Sequence, residues 1–358
     1  MKICLIFGTR PEIIKLAPVI RELEKRKMDY FLIHTNQHYS YEMDKVFFDE
    51  LKLPQPKYNL NCGFDSFRKQ VSFMTKRARE ILNKENPNHV IVYADPTSCL
   101  AGALAATKSN YMIHHLEAGL RSHDTTMLEE TNRIVTSQIS DYHYPPTEEA
   151  KQNLIEEGTD EQNIYLVGNT IVDSVMQNIE LANKNCDILE KLNLKKEEYF
   201  LLTFHRMENV DNKERLDNIL KSLELVYEKY KIPIIYSIHH RTKKRLNEFN
   251  FKIPEAVKVI EPTSYLEFLQ LEANAKLMIT DSGGIQEEAC ILKVPCVTLR
   301  DNTERPETLK VGSNILSGVN PEKVLECVNI MYNKERNWEQ PFGDGRTAIK
   351  VLDIIQSL

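Results

Sequence analysis

Short apolar runs alternate with longer amphipathic stretches from one end of the chain to the other. The runs at 3–7, 30–34, 90–93, 111–116, 142–145, 165–167, 199–204, 232–238, 257–260, 276–280 and 295–299 are brief, rich in Val, Ile, Leu, Tyr and Phe, and bounded by turn residues. They predict buried strands. Between them, apolar residues recur at helical spacing over 11–27, 67–84, 98–107, 148–157, 213–230 and 265–273, and the tail DGRTAIKVLDIIQSL reads as a last amphipathic helix. Strand and helix in alternation predict an α/β fold with parallel sheets covered on both faces. The most polar and least patterned stretch, 183–198, reads as the link between two halves. Each half then reads as a Rossmann-like layer, with an active site expected in the cleft between them.

Composition narrows the class. A chain of 358 residues, 42% hydrophobic and 27% charged, is a globular protein with room for two domains. Its net charge of −6 argues against nucleic acid as a partner, and KRK (25–27) and RTKKR (241–245) read as helix surface. Seven cysteines, Cys4, Cys62, Cys99, Cys186, Cys290, Cys296 and Cys327, are scattered without a CxxC pair, as expected of reduced thiols in a cytoplasmic protein. No apolar stretch approaches a membrane span, and MKICLIF is too soon followed by Arg10 and Glu12 to be a signal peptide.

The stretch TDSGGIQEEA (280–289) sets two glycines between an apolar run and a helix. Glycine lets a backbone approach a ligand closely, and a helix start offers N–H groups and a positive dipole end, so Ser282, Gly283 and Gly284 form a candidate phosphate site. Glu287 and Glu288 are expected in the first helical turn, where one of them could reach a ribose hydroxyl. An ordinary turn before a solvated acidic helix is the plainer alternative.

FGTRPEIIK repeats the theme near the start. Gly8 turns, Thr9 can cap, Pro11 suits a helix start, and Arg10 and Lys15 lie near its positive end; Pro18 is expected to kink this helix. Two further strand ends, and a stretch that follows them, carry carboxylates or their partners. YADPTS brings Asp95, HHLEAGLRS brings Glu117 and Arg121, and LEETNR brings Glu129, Glu130 and Arg133. Several carboxylates beside arginines are more than capping needs, and suit acid–base chemistry on carbon. FHRMENVD adds His205 and Arg206, SIHHRTKK adds His239, and RDNTERPET adds Arg300, Glu304 and Arg305. Each histidine could equally be a satisfied loop residue. No GxGxxG opens a helix, and there is no Walker A loop, HExxH, zinc-type Cys/His spacing or GxSxG.

Taken together, FGTRPEIIKLAPVI, HTNQHYS, HLEAGLRS, EETNR, PPTE, VGNTIVDS, FHRMENVD, TDSGGIQEEA and TERPET resemble the non-hydrolysing UDP-N-acetylglucosamine 2-epimerases along nearly the whole chain. The resemblance implies a GT-B architecture of two Rossmann-like domains, 1–170 with the carboxylates and 171–358 with the UDP site, the final helix near 345–358 packing back on the first. It implies a cytoplasmic homodimer with no cofactor, no metal, and neither nucleic acid nor membrane as partner. The activity implied is interconversion of UDP-GlcNAc and UDP-ManNAc, supplying sugars for surface polysaccharide. Asp95, Glu117 and Glu129 match the catalytic carboxylates, with Lys15 and Arg133 beside them. Ser282, Gly283 and Gly284 would hold the diphosphate, Glu288 the ribose, and Phe268 would lie by the uracil. Arg10, His205, His239 and Arg305 would complete the grip, His205 also acting in catalysis. Gln37, His38 and Gln70 match a regulatory UDP-GlcNAc site of bacterial members.

The chain departs from the family pattern at Ala94 and Pro96, where Gly-Asp-Thr is usual, and at Leu128, Met207 and His240. The nearest alternatives are a 2-epimerase of UDP-2,3-diacetamido-2,3-dideoxy-glucuronate, a GT-B glycosyltransferase, a hydrolysing epimerase, and a non-catalytic sugar-nucleotide sensor.

Overall fold

The computed structural model describes residues 1–37, 41–64, 66–107, 110–124 and 126–358, with the backbone alone at 41–44. Two compact units share the chain: Met1–Gln177 with Phe342–Leu358, and Asn178–Pro341. The crossing at 177/178 falls inside the helix Thr170–Asn185, ahead of the polar stretch at 183–198.

The first unit holds six strands: β1 Lys2–Phe7, β2 Asp29–His34, β3 Tyr58–Asn59, β4 His89–Tyr93, β5 Met112–Leu116 and β6 Tyr142–Tyr144. They form one parallel sheet in the order β3-β2-β1-β4-β5-β6. Cys4, Ile6, Ile33, Val90 and Val92 pack on one face against Met74, Ala78, Leu82, Ala101 and Ala105. Leu5 and Phe7, of opposite pleat, are buried as well, so the central strands read as unbroken apolar runs. The helix Arg10–Lys25 continues through Pro18. The last helix, Thr347–Ser357, is tied to this unit. Asp173 accepts from the Thr347 and Ala348 N–H groups at 3.2 and 2.9 Å, and Arg26 pairs with Asp353 at 2.7 Å.

The second unit repeats the plan with β7 Phe200–Thr203, β8 Ile234–Ser237, β9 Val257–Ile260, β10 Leu277–Thr280, β11 Cys296–Thr298 and β12 Asn314–Leu316, in the order β12-β11-β10-β7-β8-β9, again all parallel. Alternate residues feed two cores. Phe200, Leu202, Ile234, Leu277 and Ile279 meet the helix Lys213–Tyr230, and Leu201, Ile235, Met278 and Cys296 meet Leu271 and Ala289. The α/β class with two Rossmann-like sheets is therefore as expected.

Two short edge strands, β3 and β12, carry no apolar run that would have signalled them. The expected strand at 165–167 does not form; this segment touches the sheet only through a bridge between His143 and Ile164. Tyr165 instead stacks on Tyr144.

Candidate active site

In each sheet the strand order reverses beside its first strand, so that neighbouring carboxyl ends open a crevice there. In the first unit these ends belong to β1 and β4.

The turn after β1 is close-packed. A Cβ on Gly8 would meet Thr35 Oγ1 at 1.9 Å, so only glycine fits. Glu12, at the third position of the helix, reaches back to the Gly8 and Thr9 N–H groups and the Thr9 hydroxyl, each at 2.9 Å. It also accepts from Ser98 Oγ at 2.9 Å. One buried carboxylate thus joins the turn bearing Arg10 to the helix that follows Asp95. Burial raises this carboxyl to about 7, against the pull of those hydrogen bonds.

Strands β4 and β5 are each followed at once by a left-handed residue, Ala94 at φ 54° and Glu117 at φ 57°. For a non-glycine residue each costs on the order of 1–2 kcal/mol, and such strain gathers at functional sites. Ala94 N–H donates to Leu116 O at 2.9 Å, so the two turns lie side by side. Glu117 Oε2 then receives Lys15 Nζ at 2.6 Å, Tyr93 OH at 2.8 Å and Asn169 Nδ2 at 3.0 Å. Asp95 Oδ2 meets Arg133 at 2.5 Å, and its backbone carbonyl accepts from Asn132 Nδ2 at 2.9 Å. Arg133 also pairs with Glu130 at 2.7 Å, which in turn caps the Ser122 and His123 N–H groups.

A cavity of about 960 Å³ opens over these groups, lined in part by Arg10, Gln37, Gln70, Asp95, Glu129 and Asn132. Glu129 is exposed at its rim. Gln37 Oε1 accepts from Ser98 N–H at 3.0 Å and Gln70 Nε2 donates to Phe64 O at 2.5 Å; His38 lies outside the described residues.

The second unit carries the matching crevice between β7 and β10. Asp281, fully buried, accepts from His205 N–H at 3.1 Å, Arg206 N–H at 2.9 Å and Asn209 Nδ2 at 3.0 Å, stapling the two turns together. The His205 and His239 rings lie 5.1 Å apart. His239 Nδ1 accepts from Arg241 N–H at 3.2 Å. Burial, then the charges of His240, His205 and Arg241, lower His239 to about 4, so it is neutral at pH 7.

Ser282 occupies the N-cap position of the helix Gly283–Ile291, without a side-chain cap hydrogen bond, and the helix begins at the two glycines. The two differ. A Cβ on Gly283 would meet Glu304 Oε1 at 2.5 Å, whereas one on Gly284 would meet nothing within 4 Å. Gly284 therefore faces open space, and its φ is not left-handed. Glu304 pairs with Arg206 and Arg300, each at 2.6 Å. Burial alone would raise it, but Arg206, Arg300 and Arg305 outweigh burial and hold it at about 2.

Glu287 and Glu288 lie in the second turn rather than the first, because the helix starts at Gly283. Both are buried. Glu287 pairs with Arg305 at 3.0 Å and Glu288 accepts from Tyr265 OH at 3.0 Å. Phe268, one turn beyond Tyr265, is half-buried against the core that contains Tyr199. Nearby Glu272 is fully buried without a hydrogen-bond partner among the described residues, and burial, then Glu288, raise its carboxyl well above the ordinary range.

The structure thus gathers Arg10, Lys15, Asp95, Glu117, Glu129 and Arg133 in one unit, and His205, His239, Phe268, Ser282, Gly283, Gly284, Glu288 and Arg305 in the other. Sequence reasoning had no role for Tyr93, Asn169, Glu12 or Asp281. Asn169 and Asp281 do fall inside the strings VGNTIVDS and TDSGG.

The chain matches the UDP-N-acetylglucosamine 2-epimerase family over residues 21–356. It is 55% identical to the UDP-N-acetylglucosamine 2-epimerase of Methanocaldococcus jannaschii, with 99% of each chain covered. It is 34% identical to the UDP-2,3-diacetamido-2,3-dideoxy-D-glucuronate 2-epimerase of Pseudomonas aeruginosa, with 100% of each covered. A crystal structure of the Methanocaldococcus jannaschii UDP-GlcNAc 2-epimerase in complex with UDP-GlcNAc and UDP superposes with a TM-score of 0.89 at 55% identity, covering 100% of both chains.

Proposed function

The chain belongs to the UDP-N-acetylglucosamine 2-epimerase family, and from that premise we propose how its residues invert carbon 2 of UDP-N-acetylglucosamine to give UDP-N-acetylmannosamine. The observation that carries the reading is the pair of carboxylates ending β4 and β5, Asp95 with Arg133 at 2.5 Å and Glu117 with Lys15 at 2.6 Å.

The proton on sugar carbon 2 is not next to a carbonyl and is not acidic in the ground state. Departure of UDP from carbon 1 leaves an oxocarbenium-like centre, and the carbon 2 proton then becomes acidic. Its loss gives 2-acetamidoglucal and bound UDP. UDP adds back to carbon 1 while a proton reaches carbon 2 from the opposite face. No redox cofactor is needed.

The chemistry asks for stabilisation of the leaving diphosphate, a base on one face and an acid on the other. In this reading, N–H groups of the helix start at Gly283 and Gly284 take the diphosphate with Ser282, Arg10, His205, His239 and Arg305. Glu288 takes the ribose, oriented by Tyr265, and Phe268 lies by the uracil. Asp95, Glu117 and Glu129 handle the carbon 2 protons, Arg133 and Lys15 fixing the first two, with His205 serving the oxygen of the leaving group. Gln37 and Gln70, on the cavity wall, are read with His38 as a second, activating UDP-GlcNAc site.

The reading extends to a cytoplasmic homodimer that supplies N-acetylmannosamine-type sugars for surface polysaccharide. No helix among the described residues is long and apolar enough to cross a membrane. The higher identity to the UDP-N-acetylglucosamine enzyme than to the diacetamido-glucuronate enzyme supports the choice of sugar.

The test is incubation with UDP-GlcNAc read by proton NMR. UDP-ManNAc at equilibrium with substrate supports the reading. Free N-acetylmannosamine would mean hydrolysis, and unchanged substrate with bound nucleotide would mean a sensor.

A further inference from the structure

The strand end that carries Asp95 is held in a conformation its own residues resist. Ala94 is left-handed at φ 54° without being glycine, and Pro96, having no N–H, cannot help to fix the turn from the other side. The turn is held by neighbours. Ala94 N–H donates to Leu116 O at 2.9 Å. Its carbonyl accepts from His115 Nε2 at 2.8 Å and from the Cys99 thiol at 3.2 Å. A thiol is a weak donor, so the imidazole is the strong partner of the Ala94–Asp95 peptide.

The tautomer follows from the acceptor. A carbonyl oxygen can only accept, so His115 carries its proton on Nε2. Nδ1 is left to accept from Ser137 Oγ at 3.4 Å. The ring is 1% exposed. Burial lowers its pKa to about 3, with the Ala94 carbonyl and Glu117 pulling up and His143 and Arg121 pushing further down. It is a neutral, one-way donor throughout the neutral range.

We propose that His115 is the positioning residue for Asp95: its Nε2–H holds the Ala94 carbonyl, and through that peptide aims the Asp95 carboxylate at the sugar. It does not touch substrate. The proposal rests on the reading that Asp95 moves a carbon 2 proton, and on the finding that this chain places alanine where the backbone is left-handed.

A positioning role predicts a defect in turnover rather than in binding. His115→Leu removes the donor. Its kcat is expected to fall by about tenfold to a hundredfold, as for a misplacement of about 1 Å. KM and the UDP Kd are expected to stay within about twofold. The decisive comparison is the same substitution in an Ala94→Gly background. Glycine adopts the left-handed turn without help, so the loss caused by His115→Leu is expected to shrink several-fold there. An equal loss in both backgrounds, no loss in either, or a loss confined to KM would overturn the proposal. If His115→Leu does not fold, His115→Gln against His115→Asn carries the same test. Only the glutamine amide reaches as far as Nε2, so glutamine should retain kcat to within a few-fold where asparagine does not, and equal values for the two would overturn it. Asp95→Asn is run alongside. Near-normal turnover there would remove Asp95 from the chemistry, whereas an inactive Asp95→Asn beside an unaffected His115→Leu would overturn the role of His115 alone.

Discussion

Lys15 Nζ lies 2.6 Å from Glu117 Oε2, with both side chains largely out of water. The two are 102 residues apart in the chain and meet because the helix after β1 and the end of β5 flank the same crevice. Tyr93 and Asn169 donate to the same oxygen, so the carboxylate has one orientation.

Breaking this pair from either side should be distinguishable. Lys15→Met leaves a buried carboxylate without its cation and is expected to destabilise the chain by about 3–5 kcal/mol, a large share of an ordinary stability of about 5–15 kcal/mol. Adding Glu117→Gln should restore much of that stability while leaving the protein inactive. Urea unfolding of the two singles and the double measures it, and additive losses would show that the pair is not coupled.

Each proposed proton-handling carboxylate can be tested by amide replacement. Asp95→Asn, Glu117→Gln and Glu129→Gln should each lose about two to four orders of magnitude in turnover and still bind UDP. Near-normal turnover in any one removes that residue from the chemistry.

The two glycines at the helix start should respond differently. Gly284 faces open space, so Gly284→Val should leave the fold intact yet weaken UDP at least tenfold, about 1.4 kcal/mol. Gly283→Ala would press on Glu304 and disturb its pairing with Arg206 and Arg300, so it should affect stability as well as UDP. Calorimetric titration and melting of both variants separate the cases. Normal UDP binding by Gly284→Val would make this turn structural only.

Acid should loosen the first unit through His34. Its ring lies between Phe7 and Phe48, and burial lowers it from 6.5 to about 4. A histidine whose folded pKa is depressed binds its proton more readily when unfolded. It therefore imposes no penalty above about pH 6.5, and a penalty on the folded state that grows as pH falls from 6.5 toward 4. A shift of this size corresponds to roughly 3 kcal/mol. Glu12, raised to about 7, works in the opposite sense, favouring the folded state as pH falls from 7 toward 4.5. His34→Phe should keep the aromatic packing and reduce the loss of stability between pH 7 and 5, measured by urea unfolding. An unchanged difference would exclude His34 as its source.

The sequence made the central strands readable because parallel strands buried on both faces are continuous apolar runs, as at β1, β4 and β10. It hid β3 and β12, edge strands of two and three residues with too little apolar length to register. Glu117 was legible as a carboxylate at a strand end. The resemblance had set Lys15 near it, but Tyr93 and Asn169, 24 and 52 residues away, were not legible as its donors, since only the folded sheet collects them. The left-handed conformation of Ala94 was also invisible, because alanine gives no signal for it. Glu287 and Glu288 were both legible as candidates for a ribose, and the resemblance chose Glu288; the contact of Glu288 with Tyr265 appears only when the two helices pack.

The central claim is that the carbon 2 proton leaves after UDP and is replaced from the opposite face. Incubation with UDP-GlcNAc in deuterated water, followed by proton NMR of both sugar nucleotides, tests it most directly. Deuterium should accumulate at carbon 2 of UDP-ManNAc and of the recovered UDP-GlcNAc, and the carbon 2 proton signals should fade as equilibrium is approached. UDP-ManNAc formed with its carbon 2 proton fully retained would contradict the elimination pathway.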